Sequence, residues 1–125
     1  MTLALLDTDI CIYALTGTYP RLRELLGERE PGSVAISTIT FAEIAMGSMN
    51  GKLPPIELLD VFLEEVVLIE FDEAAARAYA QLPFRRGRFD RLVAAHAVSL
   101  GATLVTNNER DFADIPELRV ENWTK

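Results

Sequence analysis

This chain is poor in the side chains that perform covalent and proton-transfer chemistry. It has one cysteine, Cys11, and one histidine, His96. A lone cysteine excludes an intrachain disulfide and any cysteine-built metal cluster, and Cys11 reads as a small core hydrophobe. Lysine is scarce as well: Lys52 and Lys125 are the only two among 12 basic residues. No apolar stretch approaches the roughly 18 residues that would mark a membrane span, and no secretory signal pattern is present. The expectation is a soluble cytoplasmic protein with no membrane association. Positive charge is outnumbered overall, giving a net charge of −7. That is a poor starting point for non-specific nucleic-acid binding, which runs on basic surfaces.

What is present changes the picture locally. Five of the ten arginines (Arg77, Arg85, Arg86, Arg88, Arg91) fall within fifteen residues that contain a single acid, Asp90. A carboxylate-lined pocket would itself contribute to the negative total, so the global charge does not exclude a nucleic-acid substrate. At 125 residues the chain fits one domain, 1–125, able to bury a core. Half of the residues are hydrophobic, a surplus that points to surface covered by a partner or a second copy.

Short apolar runs rich in Val, Leu and Ile lie near residues 3–6, 33–37, 66–71, 102–105 and 118–121. They lack clear alternation, as expected of strands buried on both faces of a largely parallel sheet. Helical patterns separate them: 8–15, 20–28, 38–49, a helix opening at Pro54-Pro55, 72–82 behind Asp72 as N-cap, and 90–100 ending at Gly101. Alternation of strands and helices gives an α/β fold with ligands beyond the carboxyl ends of the strands.

Four carboxylates reach that edge. Asp7 follows the first strand directly, Glu43 lies early in the helix after the second, Asp90 opens the helix before the fourth, and Asp111 follows that strand. Converging carboxylates without histidine or cysteine suit a hard divalent cation. Each has a simpler reading. Asp7 stands next to Asp9, and capping of the first helix falls to Asp9 or Thr8; a charge at Asp7, right after a buried run, is costly unless paired or metal-bound. Glu43 completes a capping box if its helix starts at Thr40, but Ser37 and Thr38 are equally good caps. Asp90 also suits an N-cap. Asp111 competes with Glu109 and Asp114, and is favoured because Phe112 can anchor its loop. His96 lies off the face of Asp90 and reads as a packing or hydrogen-bonding residue rather than a general base. The Arg85-Arg86-Gly87-Arg88 run just before Asp90 is either a solvated loop or a set of phosphate contacts.

The stretches Leu5-Leu6-Asp7-Thr8-Asp9-Ile10, Ser37-Thr38-Ile39-Thr40-Phe41-Ala42-Glu43-Ile44, Phe89-Asp90-Arg91-Leu92-Val93-Ala94-Ala95-His96-Ala97 and Leu104-Val105-Thr106-Asn107-Asn108-Glu109-Arg110-Asp111-Phe112, with the ending Leu118-Arg119-Val120-Glu121-Asn122-Trp123, resemble the PIN-domain nucleases. The nearest likeness is to the VapC-type toxin ribonucleases of bacterial type II toxin–antitoxin pairs. The resemblance implies a three-layer α/β/α fold around a parallel sheet of about five strands, order 3-2-1-4-5. It implies that Asp7, Glu43, Asp90 and Asp111 bind Mg²⁺ or Mn²⁺, with Thr106, Asn108 and Asp9 as supporting residues. It also implies an RNA substrate such as a tRNA or rRNA, a VapB-type antitoxin, and a homodimer. Asp9 departs from the asparagine of many relatives, and the segment 79–90 is short and arginine-rich beside them.

The expected chemistry is hydrolysis by metal-activated water. A haloacid-dehalogenase-type phosphatase is the rival from another class, since Asp7-Thr8-Asp9 fits its paired aspartates. It lacks a well-placed lysine and leaves Glu43 without a role. A housekeeping RNA-processing PIN nuclease is the rival within the family.

Overall fold

The three residues of strand β1 (Ala4–Leu6) divide between two cores, because successive side chains of a strand point to opposite faces. Ala4 and Leu6 face a cluster with Ile10, Cys11, Leu22, Ile36, Leu59 and Trp123. Leu5 faces the other cluster, with Ala35, Val93, Ala94, Leu104 and Phe112. Leu5 and Leu6 are fully buried, each worth about 2 kcal/mol of apolar burial. These positions come from a computed structural model that describes residues 2–83 and 88–125.

Strands β2 (Val34–Ser37), β3 (Val67–Ile69), β4 (Thr103–Val105) and β5 (Arg119–Glu121) complete an all-parallel sheet in the order β3-β2-β1-β4-β5. The expectation of strands buried on both faces holds for β1, β2 and β4. It fails at the edges: Val67 and Leu68 of β3 are exposed, as are Arg119 and Glu121 of β5. An edge strand has one neighbour, and here the helical layers do not reach over it.

Helices α1 (Thr8–Thr16), α2 (Pro20–Glu28), α3 (Thr38–Met49) and α4 (Ile56–Phe62) contribute to the first core, while α6 (Phe89–Leu100) packs on the opposite face beside α5 (Glu73–Ala80). Helix α1 stops at Gly17, whose φ of 72° is the left-handed conformation glycine adopts without cost. Asp72 caps α5 as expected, accepting from the Ala75 N–H. Among the described residues no helix is long and apolar enough to cross a membrane.

Of two further caps, one corrects the sequence expectation and the other decides between its alternatives. The cap of α1 is Asp7 itself, with Oδ1 accepting from the Ile10 N–H at 2.9 Å, rather than Asp9 or Thr8. Capping of α3 is by Ser37, which accepts from the Ile39 N–H. Glu43 therefore lies in the second turn, and Thr40 is buried inside the helix rather than starting a capping box. The geometry is fixed from the far side, where His96 Nδ1 meets Ser37 Oγ at 2.9 Å. That hydrogen bond, with an edge-to-face contact to Phe71, is the packing role expected of His96.

Candidate active site

Parallel strands put their carboxyl ends at one edge, and the chain leaves β1 and β2 there directly into helices α1 and α3. Asp7 is held between β1 and β4, its N–H donating to the Val105 carbonyl at 3.0 Å. Helix N-termini at this edge favour negative charge, so the backbone is suited to gathering acids.

A cavity of about 270 Å³ opens at this edge, and Asp7, Asp9, Glu43 and Asp90 all line it. Asp7 is buried, Glu43 and Asp90 are half-buried, and Asp9 is exposed. Asp90 is in the first turn of α6, whose N-cap is Arg88, so capping does not account for it. The remaining polar walls are Thr8, Arg88, Thr106 and Asn108, with Phe89 and Phe112 as apolar ones. Phe112 is also buried in the second core, which anchors the loop as expected.

Asp111 takes a different position. It sits in a 3₁₀ turn (Glu109–Phe112) that the sequence did not announce. Its carboxylate turns to the Arg88 guanidinium at 2.7 Å and to Asn108 Nδ2 at 2.5 Å, and it does not line the cavity. Arg88 also grips Asp90 with two nitrogens. Among the described residues, no three acids, cysteines or histidines are grouped closely enough to enclose an ion. Arg85 and Arg86, the other candidate phosphate contacts, lie outside the described residues.

The Asp7 and Glu43 side of the site lacks a paired cation among the described residues. Burial pushes Asp7 up to about 6; the Thr106 hydroxyl and the Ile10 N–H pull the other way, and the charges of Asp9 and Asp90 add to the rise. Glu43 is raised for the same reasons: burial first, then Asp9 and Asp90, against a hydrogen bond of 2.7 Å from the Thr8 hydroxyl. Among the described residues no arginine or lysine pairs with either. Crowded, half-desolvated oxygen donors fit Mg²⁺ or Mn²⁺, which would relieve that repulsion.

Two contributors were missed in the sequence. In sequence Thr8 reads only as a cap, although its place beside Asp7 puts a hydroxyl within reach of Glu43. Arg91 reads only as one of an arginine cluster. It is 2% exposed, forms a fork–fork pair with Asp114 at 2.9 and 3.0 Å, and donates to the carbonyls of Pro83 and Asp111. Its signal was a charge on the apolar face of α6, two positions before Val93.

Comparison with known proteins agrees with this geometry. The PIN domain family model matches residues 4–118. Ribonuclease VapC2 of Rickettsia felis is 36% identical, with 97% of this chain and 98% of that protein covered. The tRNA(fMet)-specific endonuclease VapC of Shigella flexneri is 32% identical, with 96% and 97% covered. Among solved structures, VapBC2 of Rickettsia felis bound to a DNA fragment from its promoter superimposes with a TM-score of 0.83 at 34% identity, covering 97% and 98% of the two chains. VapBC of Salmonella typhimurium, also bound to DNA, gives 0.83 at 31% identity, covering 98% and 99%. None of these relatives favours the phosphatase alternative, and the lysine that chemistry wants is absent from the cavity. The sheet order, the carboxylate-lined cavity and these full-length likenesses converge: this chain belongs to the PIN-domain family and, within it, to the VapC-type ribonucleases.

Proposed function

We propose that this protein is a Mg²⁺-dependent endoribonuclease, with Mn²⁺ able to substitute, that cleaves structured RNA as the toxin of a type II toxin–antitoxin pair. The observation that supports the metal dependence is the cavity into which Asp7, Asp9, Glu43 and Asp90 bring their charges, of which Arg88 offsets Asp90 alone among the described residues. Asp7, Glu43 and Asp90 would hold the ion by closing on it from the cavity walls, with Asp111 joining once freed from Arg88. When bound, the ion supplies activation of water and neutralisation of the scissile phosphate. Asp7 presents its carboxylate from a helix cap, so its orientation is fixed by the backbone. Thr8 orients Glu43 through its hydroxyl, and the Thr106 hydroxyl favours the anionic form of Asp7 against the larger opposing effect of burial. Phe89 and Phe112 provide apolar walls beside the acids. Among the described residues no cysteine, serine or histidine lines the cavity, and His96 is buried behind α3.

Support for a tRNA substrate is the name of the Shigella flexneri relative, and support for an antitoxin is the VapBC complexes with the same fold. The surface agrees with a peptide partner. An apolar hollow of about 430 Å³, lined by Ile12, Ile44, Met46 and Leu53, shares Thr8 and Glu43 with the acidic cavity. Met46, Met49, Leu53 and Phe89 are exposed around it, which suits the apolar face of an antitoxin helix. Such surface also suits a second copy, and a homodimer in the cytoplasm is part of this reading.

The decisive assay is cleavage of total tRNA and of rRNA by the purified protein with Mg²⁺ and with excess EDTA. Cleavage that needs the ion is expected. Equal cleavage in EDTA, or release of phosphate from small phosphomonoesters without RNA cleavage, would overturn the reading. Expression of the chain alone is expected to arrest growth. Normal growth with full RNA cleavage in vitro would replace the toxin with a housekeeping nuclease.

A further inference from the structure

Arg88 is the one cation among the described residues that contacts the acids of this site. Its Nε donates to Asp90 Oδ1 at 3.0 Å and its Nη2 to Asp90 Oδ2, so both oxygens of that carboxylate are engaged. The same Nη2 donates to Asp111 Oδ2 at 2.7 Å. One guanidinium therefore ties together two acids that the family resemblance assigns to a metal. Asp111 faces Arg88 and Asn108 and lies off the cavity wall. The Asp7 and Glu43 side of the cavity, by contrast, is without a paired cation among the described residues.

We propose that Arg88 is a displaceable counter-cation, holding Asp90 and Asp111 while the site is empty and yielding them to a divalent ion. The inference rests on the metal-site reading above and adds a competitor built into the chain. Three features favour exchange over a permanent ion pair. The Arg88 side chain is 40% exposed, so release returns it to water at small cost. Its backbone is extended at the N-cap of α6, where its own side-chain torsions suffice to move the guanidinium. The acids it holds have other supports: Asn108 reaches Asp111, and the first turn of α6 places Asp90. A permanent structural pair in this protein is built otherwise, as Arg91 and Asp114 demonstrate with a side chain 2% exposed and two carbonyls satisfied besides. Released Arg88 remains on the rim of the same cavity, where a phosphodiester would take the place of the carboxylates.

Calorimetric titration with Mn²⁺ alone, without RNA, tests this on the wild type, Arg88→Gln, Arg88→Lys and Asp90→Asn. Arg88→Gln is expected to bind Mn²⁺ about 1.5-fold to fivefold tighter than the wild type, the range set by exposed ion pairs. Arg88→Lys should fall between them, since an ammonium keeps the charge and loses the fork. Adding Asp90→Asn to Arg88→Gln should erase the gain. Unchanged or weaker Mn²⁺ binding by Arg88→Gln, beside clear binding by the wild type, overturns the counter-cation and leaves the metal site standing. Absence of Mn²⁺ binding in every variant overturns the metal site and the counter-cation with it.

Discussion

Asp90 and Arg91 are consecutive residues at the start of α6, yet they enter charge clusters of opposite construction. Arg91 is buried and engages both terminal nitrogens, with Asp114 opposite and the carbonyls of Pro83 and Asp111 beside it. Asp90 joins Asp7, Asp9 and Glu43, where burial and like charge push Asp7 and Glu43 up. A cluster that serves the fold is neutralised internally, because an unpaired buried charge costs several kcal/mol. In the other cluster Arg88 offsets Asp90 from the rim, while Asp7 and Glu43 are left without a cation among the described residues, a cost that an incoming cation relieves. The Arg91 cluster also supports the acidic one, since it fastens the Asp111 turn to α6.

Breaking the acidic cluster should have the largest effect. Asp7→Asn or Asp90→Asn is expected to lower cleavage about a thousandfold, taking several kcal/mol of lost metal stabilisation at about 1.4 kcal/mol per tenfold. The fold should survive, because asparagine still caps α1. Retained cleavage by a folded Asp7→Asn protein removes Asp7 from the metal shell.

The same variant sharpens the contrast through pH. The folded-state value of Asp7 is about 6 against an ordinary 3.8. The folded chain therefore holds this proton more tightly than the unfolded chain, and the associated stability is present below 3.8 and lost as pH rises through 6. Metal-free Asp7→Asn should be more stable than the wild type near pH 7.5, by up to about 3 kcal/mol at 1.4 kcal/mol per pKa unit. The gap should close toward pH 4, as denaturant melts at each pH will show. A gap independent of pH contradicts the crowding argument.

Breaking the structural cluster should unfold rather than inactivate. Arg91→Ala is expected to cost about 3 kcal/mol, the penalty for stranding one partner of a buried pair. Activity per folded molecule should fall less than for Asp90→Asn. A stability change under about 0.5 kcal/mol, the size of an ordinary surface substitution, contradicts the clamp.

His96 gives a smaller effect of opposite sign to Asp7. Burial holds the imidazole below its ordinary 6.5, with Asp72 opposing. Its contribution is therefore present above 6.5 and lost as pH falls through the lowered folded-state value. His96→Gln should cost about 1 kcal/mol near pH 7.5, the usual size of one lost hydrogen bond. It should flatten the acid side of the stability profile and leave cleavage largely intact. A folded His96→Gln protein without activity restores a direct catalytic role.

Much of this was legible in the sequence because the signals were local. Val34-Ala35-Ile36 followed by Ser37, or Asp72 ahead of an alanine-rich run, specify a strand and a cap within a few residues. Sheet order came with the family resemblance, and three of the four acids converge because parallel strands share an edge. The failures concern relations between distant segments. Which carboxylate caps α1 depends on how β1 is pinned to β4, and composition says nothing of that. Asp111 facing Arg88 depends on a 3₁₀ turn meeting the start of α6 across 23 positions. Arg91 looked like one arginine in a run, and only the packing of Asp114 and Pro83 around it reveals a clamp.

The central claim is that the unrelieved charge around Asp7 is a divalent-cation site. Crystals soaked in Mn²⁺ and measured at its absorption edge test it most directly. An anomalous peak is expected about 2.2 Å from oxygens of Asp7 and Asp90, and its loss in Asp7→Asn. A preparation that cleaves RNA yet shows no peak between those carboxylates contradicts the account.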